Sequence, residues 1–313
     1  MGGATRDPAR QRPPRSGGPR VISERAIALY NRTVRRFGVA HRLARALVWH
    51  GGEVVVKVLA AARGFEVPAE RLLPLYKIEM LVGAYERDTV RVCEELITPG
   101  AVVVDAGAHV GYLSIILSRC VGPTGRVFAF EPHPANFQTL CRNLARQRIT
   151  NVTAVPMAIT NSEGQGTLYA TPLSMGHSLV DVKDYVDRLQ VATASLDGFL
   201  AARGIDRVEL VKIDVEGAEA EVLDGLRGLA TRSGNLSLIM EFKPSILLKR
   251  GGRPAALLET LFAMGFGVYA IGNRGVLRHV HPSAAEQFSR SLDTRNLLAR
   301  KGPVPPTLRV TRP

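Results

Sequence analysis

The stretch Val102-Val-Val-Asp-Ala-Gly-Ala-His-Val-Gly-Tyr112 decides the fold. Its branched apolar residues read as a buried strand. Asp105, Gly107 and Gly111 then lead into a helical run, Gly111–Arg119. Strand, glycine turn and helix in that order form the first βα unit of a doubly wound sheet, with the turn at the carboxyl edge where such sheets bind ligands. Gly107 lets the backbone pass close to a ligand, and the helix start offers unpaired N–H groups. A dinucleotide fingerprint would need glycine where this chain has His109 and Tyr112. A P-loop is excluded too, since no G-x-x-x-x-G-K-[ST] occurs.

Working outward, apolar runs alternate with helical ones. Ala101–Val104, Arg126–Phe130 and Val152–Ala158 read as strands, with Pro134–Gln147 as the second helix. After an interruption come strand Glu209–Ile213, helix Gly217–Leu229, strand Leu236–Phe242, helix Ala255–Met264, and a closing pair at Val268–Ile271 and Gly275–Val280. This alternation predicts an α/β, doubly wound, mostly parallel Rossmann-like sheet. The interruption, Thr160–Leu200, holds the alternating Thr167-Leu-Tyr-Ala-Thr171 and reads as a hairpin and a loop beside the site. Upstream, apolar residues from Ile22 to Phe37 recur at helical spacing between arginines, an N-terminal helical extension. The expected divisions are a disordered basic tail over 1–22, a helical cap over 23–90, the main domain over 91–282 and a C-terminal tail over 283–313.

Charge is uneven in the 313 residues. The net +13 is concentrated in residues 1–50, with eleven Arg against two acids, and in 288–313, with six bases against one. The body is left near neutrality, so a basic working surface for nucleic acid is not expected. Cys93, Cys120 and Cys141 form no CxxC pair and read as reduced thiols. With no membrane-spanning run and no apolar leader segment, the expected location is cytoplasmic. The basic amphipathic helix either packs on the main domain or lies on an anionic membrane surface as a peripheral contact.

Glu131 ends the second strand and is placed to accept hydrogen bonds from both hydroxyls of a ribose; the alternative is a cap on the next helix. A nucleoside site without a pyrophosphate loop points to S-adenosylmethionine. His109 reads as a contact from the cofactor loop. In Val211-Lys-Ile-Asp-Val-Glu-Gly-Ala-Glu219, Lys212 and Asp214 share a strand face, and the lysine needs a carboxylate partner from Asp214, Asp105 or Glu241. Asp214 and Glu216 could alternatively lie in a first helical turn. Glu241 ends the neighbouring strand. The two carboxylates Asp214 and Glu241 suit a substrate hydroxyl or Lys212 better than a divalent metal, which would lack a third protein ligand. His177, in the interrupting loop, is a further candidate proton acceptor.

These blocks resemble the FkbM-type S-adenosylmethionine-dependent methyltransferases, a class I Rossmann-like group. The resemblance runs from Thr98 to Ile271 and is carried by Pro99–Tyr112, Ala129–Pro134, Ser195-Leu-Asp197 and Lys212–Glu219. The family usually has Asn where this chain has His109. The resemblance implies that Asp105, Gly107 and Gly111 line the methionine part of the cofactor, that Glu131 holds the ribose, and that Ala158 and Ile159 flank the adenine. It implies O-methylation of a small-molecule hydroxyl on a sugar, glycolipid or polyketide-type product. An adenosine-nucleotide-linked oxidoreductase and a non-catalytic glycolipid-binding module remain as alternatives.

Overall fold

The computed structural model describes residues 52–67, 74–172, 176–181, 185–249, 251–291 and 293–311. The expected basic tail and most of the amphipathic stretch lie outside these residues. Residues 48–313 form one compact unit, so the division falls after Leu47 and not at residue 90.

Among the described residues nine strands form the main sheet: β1 (Val102–Ala106), β2 (Arg126–Phe130), β3 (Val152–Val155), β7 (Leu210–Ile213), β8 (Ser237–Phe242), β9 (Gly267–Ile271), β10 (Leu277–Val280), β11 (Arg295–Arg300) and β12 (Val310–Thr311). Their order is β12-β10-β9-β11-β8-β7-β1-β2-β3. The strands β3, β2, β1, β7 and β8 run parallel, and β11 lies antiparallel between β8 and β9. The doubly wound expectation holds. Connectivity reverses direction at β1, whose two neighbours are β2 and β7, and this is the switch point at which such sheets bind ligands.

Period-two alternation sends successive residues to opposite faces. Val103, Leu210, Ile239 and Leu298 pack with Val92, Cys93 and Leu117 from the helices Arg87–Leu96 and Tyr112–Val121. Val104, Val211, Leu238 and Met240 face the other layer, with Phe199, Val222 and Leu258. A third cluster joins Val56, Met80 and Leu81 of the N-terminal helices and Phe65 of the segment between them to Ala108, Val110 and Leu140, so the helical extension packs on the glycine loop. Among the described residues no helix is long and apolar enough to cross a membrane.

Three expectations need correction. The third strand stops at Val155, because Pro156 has no N–H for the ladder; β4 (Met157–Thr160) instead joins a second sheet, β4-β6-β5, with β5 (Gly164–Ala170) and β6 (Asp187–Ser195) as the expected hairpin. The helix expected over Gly217–Leu229 is two, Glu219–Gly225 and Arg227–Arg232. Gly225 sits so close to the Thr160 carbonyl that a Cβ would come within 1.9 Å of it, and Asp197 accepts hydrogen bonds from Gly228 and Leu229 N–H at 2.7 and 2.6 Å, capping the second helix separately. Finally, the expected tail contains β11, which is buried inside the sheet.

Candidate active site

The turn after β1 is built on glycine for steric reasons. Gly107 has φ +89, and a Cβ there would lie 1.8 Å from the Asp214 carbonyl oxygen, so the turns after β1 and β7 touch at this point. Gly111, at φ +86, sits against Leu140, whose Cδ1 would be 2.5 Å from any Cβ. The N–H groups of Gly107 and Ala108 both donate to the Phe130 carbonyl, at 3.0 and 2.8 Å. Asp105 is buried and accepts from Ser114 Oγ at 2.6 Å, which ties the strand end to the crossover helix. Burial raises its carboxyl to about 6.

Glu131 stands at the end of β2 with its carboxylate turned to the glycine loop. Oε2 accepts from His109 N–H at 2.8 Å and Oε1 from His133 N–H at 2.9 Å, with Asn136 Nδ2 at 3.5 Å. A carboxylate has about four acceptor positions, so capacity remains for hydroxyls in the cleft that Glu131 lines. Burial pushes its pKa up to about 7 against these hydrogen bonds. The same cleft is walled by Met157, Ala158, Ile159, Leu168 and Leu179, an apolar slot wide of the carboxylate. His109, in a left-handed turn at φ 51, is held neutral by burial, its pKa lowered to about 4. His177 lines this cleft as well. Its ring stacks on His133 at 4.2 Å and its Nδ1 accepts from Thr171 N–H at 3.1 Å, so the nitrogen able to take a proton is already engaged.

Beyond Gly107 the character changes. Lys212 is buried, with Nζ 3.2 Å from Asp214 Oδ2 and 4.0 Å from Glu86 Oε2. Of the partners expected for this lysine, Asp214 is the one in hydrogen-bond reach. Glu241 follows on β8 and shares a side-chain hydrogen bond with Asp214. Lys243, which by strand alternation belongs on the face of Glu241, puts Nζ 2.7 Å from Glu241 and 2.6 Å from Glu216. Burial opposes ionisation of Asp214, yet Lys212 and Lys243 outweigh it and hold the carboxyl well below the carboxylate range. Burial, with the Asp214 charge, raises Glu241 to about 9. The pair therefore carries one proton at neutral pH. Carboxylate oxygens of Asp214, Glu216 and Glu241 lie within 4.8 Å of one another and could hold a metal ion; the Lys243 ammonium already stands beside two of them.

Glu86, Tyr85 and Lys243 were not singled out from the sequence, and Glu216 was considered there only as part of a first helical turn, whereas the helix starts at Glu219. Lys243 was accessible through the period-two rule. Glu86 and Tyr85 were not, because a turn between two helices carries no pattern that points to a strand far along the chain.

A doubly wound sheet with a glycine turn at its switch point, a buried carboxylate at the end of one neighbouring strand and acidic groups at the ends of the two strands on the other side is the arrangement expected for binding S-adenosylmethionine. The residues fit that cofactor: the Gly107 cradle would be filled by any Cβ, and Glu131 retains acceptor capacity above an apolar slot. The chain belongs to the FkbM methyltransferase family, whose domain model, described as a methyltransferase FkbM domain, matches residues 105–268. Similar proteins include Methyltransferase 1 of Beauveria bassiana, 32% identical over 144 residues, covering 40% of this chain and 57% of that protein. The hexuronic acid methyltransferase AglP of Haloferax volcanii is 28% identical over 165 residues, covering 53% of this chain and 65% of that protein. The 31-O-demethyl-FK506 methyltransferase FkbM of Streptomyces tacrolimicus is 29% identical over 157 residues, covering 41% and 60%. The chain thus spans about three fifths of the length of these relatives.

Proposed function

We propose that this protein transfers a methyl group from S-adenosylmethionine to a hydroxyl of a small molecule, a sugar, glycolipid or polyketide-type product. The observation that carries this reading is the cluster of Asp214, Glu216 and Glu241 with Lys212 and Lys243 against it, whose Asp214 touches Gly107 and lines the same cleft as Glu131. The names of two of the relatives, a hexuronic acid methyltransferase and a 31-O-demethyl-FK506 methyltransferase, support the acceptor class.

When bound, the cofactor supplies a sulfonium methyl that is already electrophilic. The protein's own task is to hold, align and take up a proton. Glu131 would accept the ribose hydroxyls, and Ala158 and Ile159 would lie against the base. Asp105, Gly107 and Gly111 shape the methionine side of the turn. Asp214 would accept a hydrogen bond from the acceptor hydroxyl and take its proton as the C–O bond forms and the methyl–sulfur bond breaks, the electron pair going to sulfur and S-adenosylhomocysteine leaving. Glu241 and Lys212 position that carboxylate, and Lys243 supplies the positive charge a divalent ion would otherwise bring. His109 and His177 belong to the nucleoside side in this reading.

The test is labelled methyl transfer to hexuronosides and to polyketide alcohols, with and without a chelator. Alkali-stable label, retained with chelator, is the expected result. Absence of S-adenosylhomocysteine binding, or binding of NAD in its place, would overturn the reading in favour of a nucleotide-linked oxidoreductase. Vesicle sedimentation tests the peripheral contact of the basic N-terminal stretch.

A further inference from the structure

A second cleft adjoins the first through Gly107, His109 and Asp214 and is closed by Met80, Tyr85 and Glu86 from the helical extension. Glu86 lies outside the span matched by the family model. It holds a left-handed conformation, φ 48, that side chains adopt at a cost. It stands at the start of the helix Arg87–Leu96, where its side chain caps no backbone N–H and shares a hydrogen bond with the Thr89 side chain. Oε2 is buried without a hydrogen-bond partner among the described residues, and Lys212, at 4.0 Å, is committed to Asp214 at 3.2 Å. Such an orphaned acceptor is costly unless a ligand donor completes it.

The surroundings specify the donor. Three carboxylates, Glu86, Asp105 and Asp214, line this cleft against the single ammonium of Lys212, so its complement is a cation. Tyr85 and Tyr112, edge-to-face at 5.6 Å, add aromatic walls of the kind that favour ammonium groups. Lys212 and Asp214 form the border it shares with the acidic cluster, Glu241 and Glu216 do not line it, and Ala108 of the glycine turn with Tyr112 and Leu113 of the helix that follows do, so it opens along the cofactor turn.

We infer that Glu86 anchors the ammonium of the amino-acid end of the cofactor, a binding role for the helical extension. This rests on the cofactor reading above. Calorimetry on the full chain with three probes separates the two: S-adenosylhomocysteine, its 2-oxo analogue in which a ketone replaces the amine, and 5′-methylthioadenosine, which lacks the amino-acid end. The wild type should prefer S-adenosylhomocysteine to the 2-oxo analogue by roughly tenfold or more. Glu86→Gln should erase that preference and leave methylthioadenosine binding unchanged, which also reports that the cleft is folded. Glu86→Asp, keeping the charge, should retain the preference. Retention of it in Glu86→Gln, its loss in Glu86→Asp, or equal weakening of methylthioadenosine would overturn the inference. A wild type that binds none of the three would remove the cofactor reading itself.

Discussion

The two sides of Gly107 solve the burial of charge in opposite ways. On the side proposed for the nucleoside, Glu131 has no ammonium beside it among the described residues, accepts from two backbone N–H groups and the Asn136 amide, and is raised to about 7 by burial. On the acceptor side, Asp214, Glu216 and Glu241 interleave with Lys212 and Lys243, so each group's ionisation depends on its neighbours. A lone carboxylate held by main chain suits neutral hydroxyl donors that leave as they came. A coupled set with one shared proton suits a step in which a proton must be taken and released.

The contact of the two turns allows one substitution to damage both sides. Gly107→Ala would drive a Cβ into the Asp214 carbonyl at positive φ, and is expected to cost on the order of 2 kcal/mol or more in stability and abolish S-adenosylhomocysteine binding. Melting and calorimetry measure it; a variant that binds normally would show the turns to be independent. Asp214→Asn should lower turnover about 10²- to 10⁴-fold, far more than it weakens cofactor binding, read as kcat against the S-adenosylhomocysteine Kd. Glu131→Gln should do the reverse, weakening S-adenosylhomocysteine roughly 10- to 100-fold with the acceptor KM unmoved.

The smallest effect is in pH. Glu131 and Glu219 are each raised to about 7, so the folded state binds their protons more tightly than the unfolded state does. Their ionisation therefore costs stability as pH rises between about 4.5 and 7. The Tm of the ligand-free protein should rise on going from pH 8 to pH 6.5. Below 6.5 the depressed His109 pKa works the other way, since the unfolded imidazole takes a proton that the buried one refuses. Saturating S-adenosylhomocysteine should flatten the rise, because ribose hydroxyls hold Glu131 ionised.

The nucleoside side was legible because its parts are fixed by local spacing. Asp105, Gly107, Gly111 and Glu131 follow strand ends, and a parallel sheet brings successive strand ends to one edge. Lys212 in an apolar strand announced a buried ion pair, and Asp214 and Glu241 came from the same edge. What was missed depends on contacts that no short window contains. Pro156 marked the end of β3, but not that β4 would turn into another sheet. The helix break after Gly225 comes from the Thr160 carbonyl. The run Arg295-Asn-Leu-Leu-Ala-Arg300 is short and flanked by charge, and only pairing on both sides makes it interior.

That last strand has a consequence for biosynthesis. β11 pairs Asn296 with Glu241 and donates from the Asn296 amide to Thr89 Oγ1 at 2.9 Å, on the helix that Glu86 begins. While the chain is still emerging from the ribosome, β8 and β9 each present an unpaired edge, and the acidic corner lacks its outer wall. A nascent polypeptide released before residue 295 would own a finished glycine turn beside two sticky strands, a species for chaperones and proteases to handle.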